Sequence, residues 1–150
     1  MRELKILNKK QIKDVFEIIE NQWGADLELE HAFLISPQKK IYIVNKEISK
    51  IDFSILNINN IGLYFGELTK NNELRLSIEG SQIVGEKANK NVVEINKNQA
   101  QQWFRGEFVE TKEQGNAFVI LKHEKDFLGC GRLVDGKVLN YVPKARRILS

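Results

Sequence analysis

The 150-residue chain carries 23 lysines and arginines against 20 aspartates and glutamates, and 42% of its residues are hydrophobic. This apolar content excludes a disordered chain, and the length suffices for one domain or two small ones. The sequence has neither the run of about 18 apolar residues that a membrane helix requires nor an apolar signal-peptide core near its start. We therefore expect a cytoplasmic protein with no membrane partner. Its single cysteine, Cys130, excludes an internal disulfide and a cysteine-based zinc cluster.

The net charge of +3 is concentrated at one end of the chain. Residues 1–75 contain eleven basic and eleven acidic side chains, whereas residues 127–150 contain five cations and one carboxylate, a local charge of +4. A clustered basic end is typical of a nucleic-acid binder, although an ordinary solvated surface has the same composition.

The first predicted element is an amphipathic helix. Asn8 and Gln11 have the spacing of a capping box, and apolar residues then recur at helical spacing as far as Trp23. Gly24 is the predicted stop.

Two β-hairpins are predicted after this helix, each as two apolar runs around a turn-like segment. The four runs are AFLIS (32–36), IYIVN (41–45), GLYFGEL (62–68) and ELRLSI (73–78). Asn45 is predicted to cap a short helical turn between the hairpins, and Ser77 to cap a brief helix over residues 80–88. The polar segment at 86–91 then marks a boundary, so we expect an N-terminal α/β domain over residues 1–88.

Residues 89–150 predict a second, β-rich domain. After the strand VVEI at 92–95, Asn96 is predicted to cap a helix that directs Ala100, Trp103 and Phe104 inward and ends at Gly106. Four apolar runs follow: EFVET (107–111), AFVILK (117–122), FLGCGRLV (127–134) and KVLNYV (137–142). The last two flank Asp135-Gly136, a strong hairpin signal. This pattern predicts a small, partly closed barrel, and the fold class of the whole chain is α+β.

No group of residues has the pattern of a catalytic or metal site. His31 and His123 are 92 residues apart and are predicted to be structural. Cys130 lacks a basic neighbour and is predicted to pack in the interior, between two glycines that mark a bend or a close backbone approach. The sequence thus predicts no enzyme, metal or cofactor; a small hydrolase would need a deep pocket with converging carboxylates or a lysine pair.

Two segments favour contacts with RNA. Arg105 lies at the end of the helix predicted after Asn96, beside a glycine that permits close approach of a partner. The C-terminal cations can neutralise phosphates, and Tyr141 is either a core residue or a platform for an unpaired base.

At these residues the sequence resembles a PUA domain, in the order VVEI, NKNQAQQWFRGEFVE and a β-rich remainder. The ending FLGCGRLVDGKVLNYVPKARRI is similar to the PUA-like module of Sun-type rRNA cytosine-C5 methyltransferases. The first half, with its capped helix, IYIVN and GLYFGELTKNNELRLSI, resembles the Nip-seven family of ribosome-biogenesis factors, which join an N-terminal α/β domain to a C-terminal PUA domain. Cys130 follows Gly129 rather than the proline of the methyltransferases' catalytic motif, so the resemblance implies binding without methylation.

The resemblance implies a non-catalytic RNA-binding protein in rRNA modification or ribosome biogenesis, with structured rRNA or tRNA as its partner. Charge and resemblance together predict eight RNA-binding residues, of which Lys137 is included on charge alone: Arg105, Gly106, Arg132, Lys137, Tyr141, Lys144, Arg146 and Arg147. The alternative is a protein-interaction subunit that docks on a separate RNA methyltransferase or assembly factor through Trp23, Tyr64 or Phe65, provided that these are exposed.

Overall fold

Two five-stranded sheets and three α-helices make up the computed structural model, which describes residues 4–28, 31–44 and 62–147. The α+β class and the order of a small mixed α/β half followed by a β-rich half are confirmed. The helical turn predicted at Asn45 lies outside the described residues.

Helix α1 (Lys9–Trp23) begins and ends where the sequence predicts. The Asn8 side chain accepts a hydrogen bond from the Gln11 backbone at 2.9 Å, and the Gln11 side chain accepts one from the Asn8 backbone at the same distance. Gly24 ends the helix with a left-handed φ of 67°. These caps stabilise a helix whose apolar face is buried against the first sheet.

The N-terminal sheet is antiparallel throughout, in the order β1-β2-β3-β4-β5. Its strands are β1 (Lys5–Ile6), β2 (Ala32–Ile35), β3 (Lys40–Val44), β4 (Leu63–Leu68) and β5 (Leu74–Leu76). Strands β2 to β5 are the two predicted hairpins, whereas the two-residue edge strand β1 is too short for its sequence to reveal. Helix α2 (Ile78–Gly85) follows, capped by the Ser77 side chain as predicted but starting two residues earlier.

The C-terminal sheet has the order β6-β8-β9-β10-β7, and only the β6–β8 pair is parallel. Its elements are β6 (Val92–Glu94), helix α3 (Lys97–Phe104), β7 (Val109–Glu110), β8 (Asn116–His123), β9 (Asp126–Val134) and β10 (Lys137–Leu139). Asp135 and Gly136 connect β9 to β10 with φ values of 43° and 88°. Positive φ at both positions is the conformation that Asp-Gly favours in two-residue hairpins.

Alternating residues of β8 and β9 face two different cores. Phe118, Ile120 and Cys130 pack with the N-terminal half, in the core that contains Trp23. Val119 and its neighbours on the opposite face surround Trp103 of α3 in a second core. The middle of β8 and of β9 is therefore buried on both faces of the sheet.

The predicted boundary at 86–91 is not a free linker. The Asn89 amide donates to the Trp23 carbonyl at 2.8 Å, and the Asn91 side chain donates to the Gln22 carbonyl at 2.5 Å. The segment is thus fixed to the end of α1, and the division of the chain into domains at residue 88 stays a prediction.

Candidate nucleic-acid interface

The end of helix α3 lies against the C-terminal segment, which brings three predicted residues together. Arg105 caps the helix, and Gly106 follows with a φ of 90°. A Cβ atom at Gly106 would lie 2.5 Å from Nε of Arg147, so the absence of a side chain permits this contact. The Arg147 Nε donates in turn to the Val142 carbonyl at 3.0 Å.

Asn140 holds this arrangement in place and was missed by the sequence analysis. Its Nδ2 donates at 2.8 Å to the carbonyls of both Trp103 and Glu107, and its Oδ1 accepts from the Val142 amide at 2.7 Å. Strand β10 stops at Leu139, so the predicted strand over 137–142 is too long. The chain leaves the sheet there because the Asn140 side chain binds the helix end instead of extending the ladder.

The face of the C-terminal sheet that packs on the N-terminal half continues beyond it as an exposed apolar surface with cations beside it, which we call the outer face. Four of the six large hydrophobic residues that are exposed in the described part of the chain lie here: Phe108, Val134, Leu139 and Tyr141. The strand register pairs Phe118 with Arg132 and Arg132 with Leu139, and extending it places Leu139 opposite Phe108. Residues that pair directly across neighbouring strands lie on the same face of the sheet. Phe118, Arg132, Leu139 and Phe108 therefore form one row across the sheet, from the covered Phe118 to the exposed Phe108.

Phe108 is the most exposed aromatic residue of this face, at 47%. The Lys137 Nζ lies 5.0 Å from the centre of its ring, in cation–π geometry. The sequence analysis missed Phe108. Strand alternation in EFVET places Phe108 and Val109 on opposite faces, and the burial of Val109 in the structure leaves Phe108 outward.

Ion pairs divide the predicted cations into two groups. Arg105 pairs with Glu107 at 2.9 Å, Arg132 with Glu73 at 3.1 Å, and Arg146 with Glu79. Within the described part of the chain no carboxylate pairs with the others, which are Lys137, Lys144 and Arg147. The +4 of the C-terminal stretch therefore overstates its free charge, because Glu73 and Glu79 of the N-terminal half neutralise two of its arginines.

Tyr141 is neither a core residue nor a free platform. Its ring is 40% exposed, lies 6.3 Å from the ring of Phe118 and is covered on one side by the guanidinium of Arg75, 4.5 Å away. Arg132 lies 4.7 Å from the Phe118 ring. Arg75, which the sequence analysis did not select, and Arg132 thus stack on adjoining aromatic rings where the two sheets meet.

The remaining polar candidates have structural positions. Cys130 is buried as predicted, and burial raises the pKa of its thiol to about 12, so it is no nucleophile at neutral pH. His123 is partly buried with Nδ1 3.0 Å from the Ile95 carbonyl, and His31 lies at the surface. Among the described residues no cluster has the ligands for a metal ion, and no helix has the length and apolar character to cross a membrane.

Two of the three side chains considered as protein-docking anchors are unavailable. Trp23 and Phe65 are fully buried in the first core. Tyr64 is half-buried against Tyr42, and its pKa is raised by burial and by the nearby carboxylate of Glu67. The tyrosine hydroxyl therefore stays protonated at neutral pH.

Comparisons with known proteins assign both halves of the chain. Residues 90–148 match the family described as the methyltransferase RsmF PUA domain. The crystal structure of a PUA domain from Aeropyrum pernix K1, in complex with tartrate, superposes with a TM-score of 0.54 at 13% identity, over 91% of this chain and 75% of that one. No curated protein matches. Residues 1–78 match the family described as NIP7/UPF0113, pre-PUA domain, and because this match spans more than half of the chain, the protein belongs to that family.

Proposed function

We propose that this protein binds RNA without catalysis, as a factor of rRNA modification or ribosome biogenesis. The observation that carries the proposal is the outer face of the C-terminal sheet, where the exposed Phe108 and Leu139 lie beside the unpaired cation Lys137. Single-stranded RNA is bound by this combination, because bases stack on aromatic rings while cations neutralise phosphates. The PUA and pre-PUA family matches support the same function.

The test separates the phosphate contacts from the stacking contact. Lys137→Gln and Arg147→Gln should each weaken RNA binding and lower the slope of log affinity against log salt by about 0.7 to 0.9, because each removes one phosphate contact. Lys10→Gln is the matched control, since Lys10 is an exposed cation of α1 outside this surface. Binding is measured by fluorescence anisotropy with a folded rRNA fragment and an unpaired oligonucleotide at several salt concentrations.

Phe108→Ala should weaken binding of the unpaired oligonucleotide by about 1 to 3 kcal/mol while leaving the salt slope unchanged, because stacking involves no counterion release. Leu63→Ala, at an exposed apolar residue of β4, is the control. An RNA affinity without salt dependence, or variants of the C-terminal face that bind as the controls do, would contradict the proposal.

A protein-docking role on an RNA methyltransferase or assembly factor is the second candidate. Its sequence-based anchors are mostly buried. The apolar outer face is the surface available for it. If Phe108→Ala abolished capture of a methyltransferase while RNA binding was unchanged, the outer face would serve protein docking and not base stacking.

A further inference from the structure

A cleft of about 200 Å³ lies at the junction of the two halves. Strand β5 and the start of α2 form one wall, and the segment after β10 forms the other. Its charged and aromatic lining includes Glu67, Arg75, Glu79, Tyr141 and Arg146. Tyr141 and Arg146 also belong to the predicted RNA-binding residues, so the cleft adjoins the surface proposed for RNA.

Arg75 and Glu67 present a donor and an acceptor side by side in this cleft. The Arg75 Nη2 lies 3.6 Å from the Glu67 Oε1, and their side chains are 32% and 29% exposed. The Tyr141 ring, 4.5 Å from the guanidinium, fixes the position of Arg75. Both groups are thus held in place before a ligand arrives, which lowers the entropy cost of binding one.

The cleft presents charges of both signs. Arg75 is accompanied by Glu67 and Arg146 by Glu79, and Lys40 adds a third cation to the lining. A ligand that both donates and accepts hydrogen bonds can engage the cations and the carboxylates together. The volume lies below the roughly 300 to 1,000 Å³ of sites for drug-sized ligands, which suits one ring system rather than a peptide.

Guanine has the required pattern of donors and acceptors. Its O6 and N7 accept hydrogen bonds from an arginine, and its N1–H and N2–H groups donate to a carboxylate. Unpaired bases of RNA turn outward and are recognised on these edges.

We propose that this cleft binds an unpaired guanine of the RNA, with Arg75 donating to O6 and N7 and Glu67 accepting from N1 and N2. The inference rests on the proposed function, because it adds base recognition to an RNA-binding surface.

The test titrates the protein with guanosine monophosphate, adenosine monophosphate or ribose 5-phosphate. Binding is measured from the shifts of the amide NMR signals of Ser77, Gly129 and Tyr141. Guanosine monophosphate should bind at least about tenfold more tightly than the other two, because only it satisfies both Arg75 and Glu67. Equal binding of adenosine monophosphate, or of ribose 5-phosphate, would overturn the assignment.

Glu67→Gln separates base recognition from anion binding. This substitution should weaken the binding of guanosine monophosphate about tenfold, because a charged acceptor is lost. A site for a simple anion would instead bind its ligand more tightly after losing a negative charge. Glu94→Gln, at an exposed carboxylate of β6, should leave the affinity unchanged. Arg75→Lys keeps the positive charge but removes the planar pair of donors, so it should also weaken the binding of guanosine monophosphate. Thermal melts verify that each variant is folded.

A guanine-free oligouridylate distinguishes this inference from the proposed function. The Glu67→Gln variant should bind oligouridylate as tightly as the unaltered protein does, because an RNA without guanine contacts only the outer face. Suppose that oligouridylate binds with a salt-dependent affinity while guanosine monophosphate does not shift the amide NMR signals of the cleft. The proposed guanine site is then wrong, and the RNA-binding function stands. If neither oligouridylate nor folded RNA binds, the proposed function itself fails.

Discussion

Single residues owe their chemistry to the neighbours that enclose them. Cys130 belongs to the same core as Leu76, where burial keeps its thiol protonated. Gly131 next to it has no room for a side chain, because a Cβ atom would lie 2.5 Å from the Leu139 carbonyl and 2.6 Å from the Trp103 ring. Gly131 therefore marks the close backbone approach that the sequence predicts, and Gly129 lies at the register shift between β8 and β9, the predicted bend.

The raised pKa of Cys130 predicts a loss of stability in alkaline solution. The unfolded thiol loses its proton near pH 9, whereas the folded thiol holds it to about pH 12. The folded state then binds more protons, so between these values the free energy of unfolding falls by up to about 1.4 kcal/mol per pH unit. Urea unfolding should show a flatter pH dependence for Cys130→Ala than for the unaltered protein, and parallel curves would contradict the assignment.

Secondary-structure elements follow local signals closely in this chain. The capping box at Asn8 and the helix cap at Asn96 form as predicted, and the turns at Asn72 and Asp135 adopt the positive φ that these residues tolerate. Apart from very short elements such as strand β1, the differences lie at element ends. Strand β10, for example, is cut short by hydrogen bonds from Asn140 to residues more than 30 positions away, which no local pattern encodes.

The cap of α3 should contribute measurably to stability, because eight residues are too few for a helix to persist alone. Asn96→Ala removes the acceptor for the Gln99 amide, 2.8 Å away, and should lower the free energy of unfolding by about 1 kcal/mol. Asn98→Ala, at an exposed position of the same first turn, is the matched control and should be neutral or slightly stabilising. Equal effects of the two substitutions would contradict a capping role.

At the scale of the molecule, the two halves share one core. Phe118 and Ile120 of the C-terminal sheet pack in the same cluster as Trp23 and Phe65 of the N-terminal half. The Arg132–Glu73 and Arg146–Glu79 pairs join the halves at the surface. Exposed pairs of this kind contribute little, so the shared apolar core is what couples the halves.

This coupling predicts one cooperative unfolding transition. Trp23 reports on the first core and Trp103 on the second, and both are fully buried. In Trp23→Phe and in Trp103→Phe, the fluorescence of the remaining tryptophan and the far-ultraviolet circular dichroism should give the same urea midpoint. Separate midpoints within either variant would show that the halves unfold independently, as two autonomous domains would.

The sequence by itself determined the elements, their order, the hairpin turns and the interior position of Cys130, because these depend on caps, turn residues and periodicity within a few neighbours. The tertiary structure decided which cations remain unpaired, the exposure of Phe108 and Leu139 together, and the cleft around Arg75. Each of these depends on residues far apart in the chain: Arg132 meets Glu73 across 59 positions, and Arg146 meets Glu79 across 67. A charge count along the sequence locates cations, but only folding brings carboxylates to them.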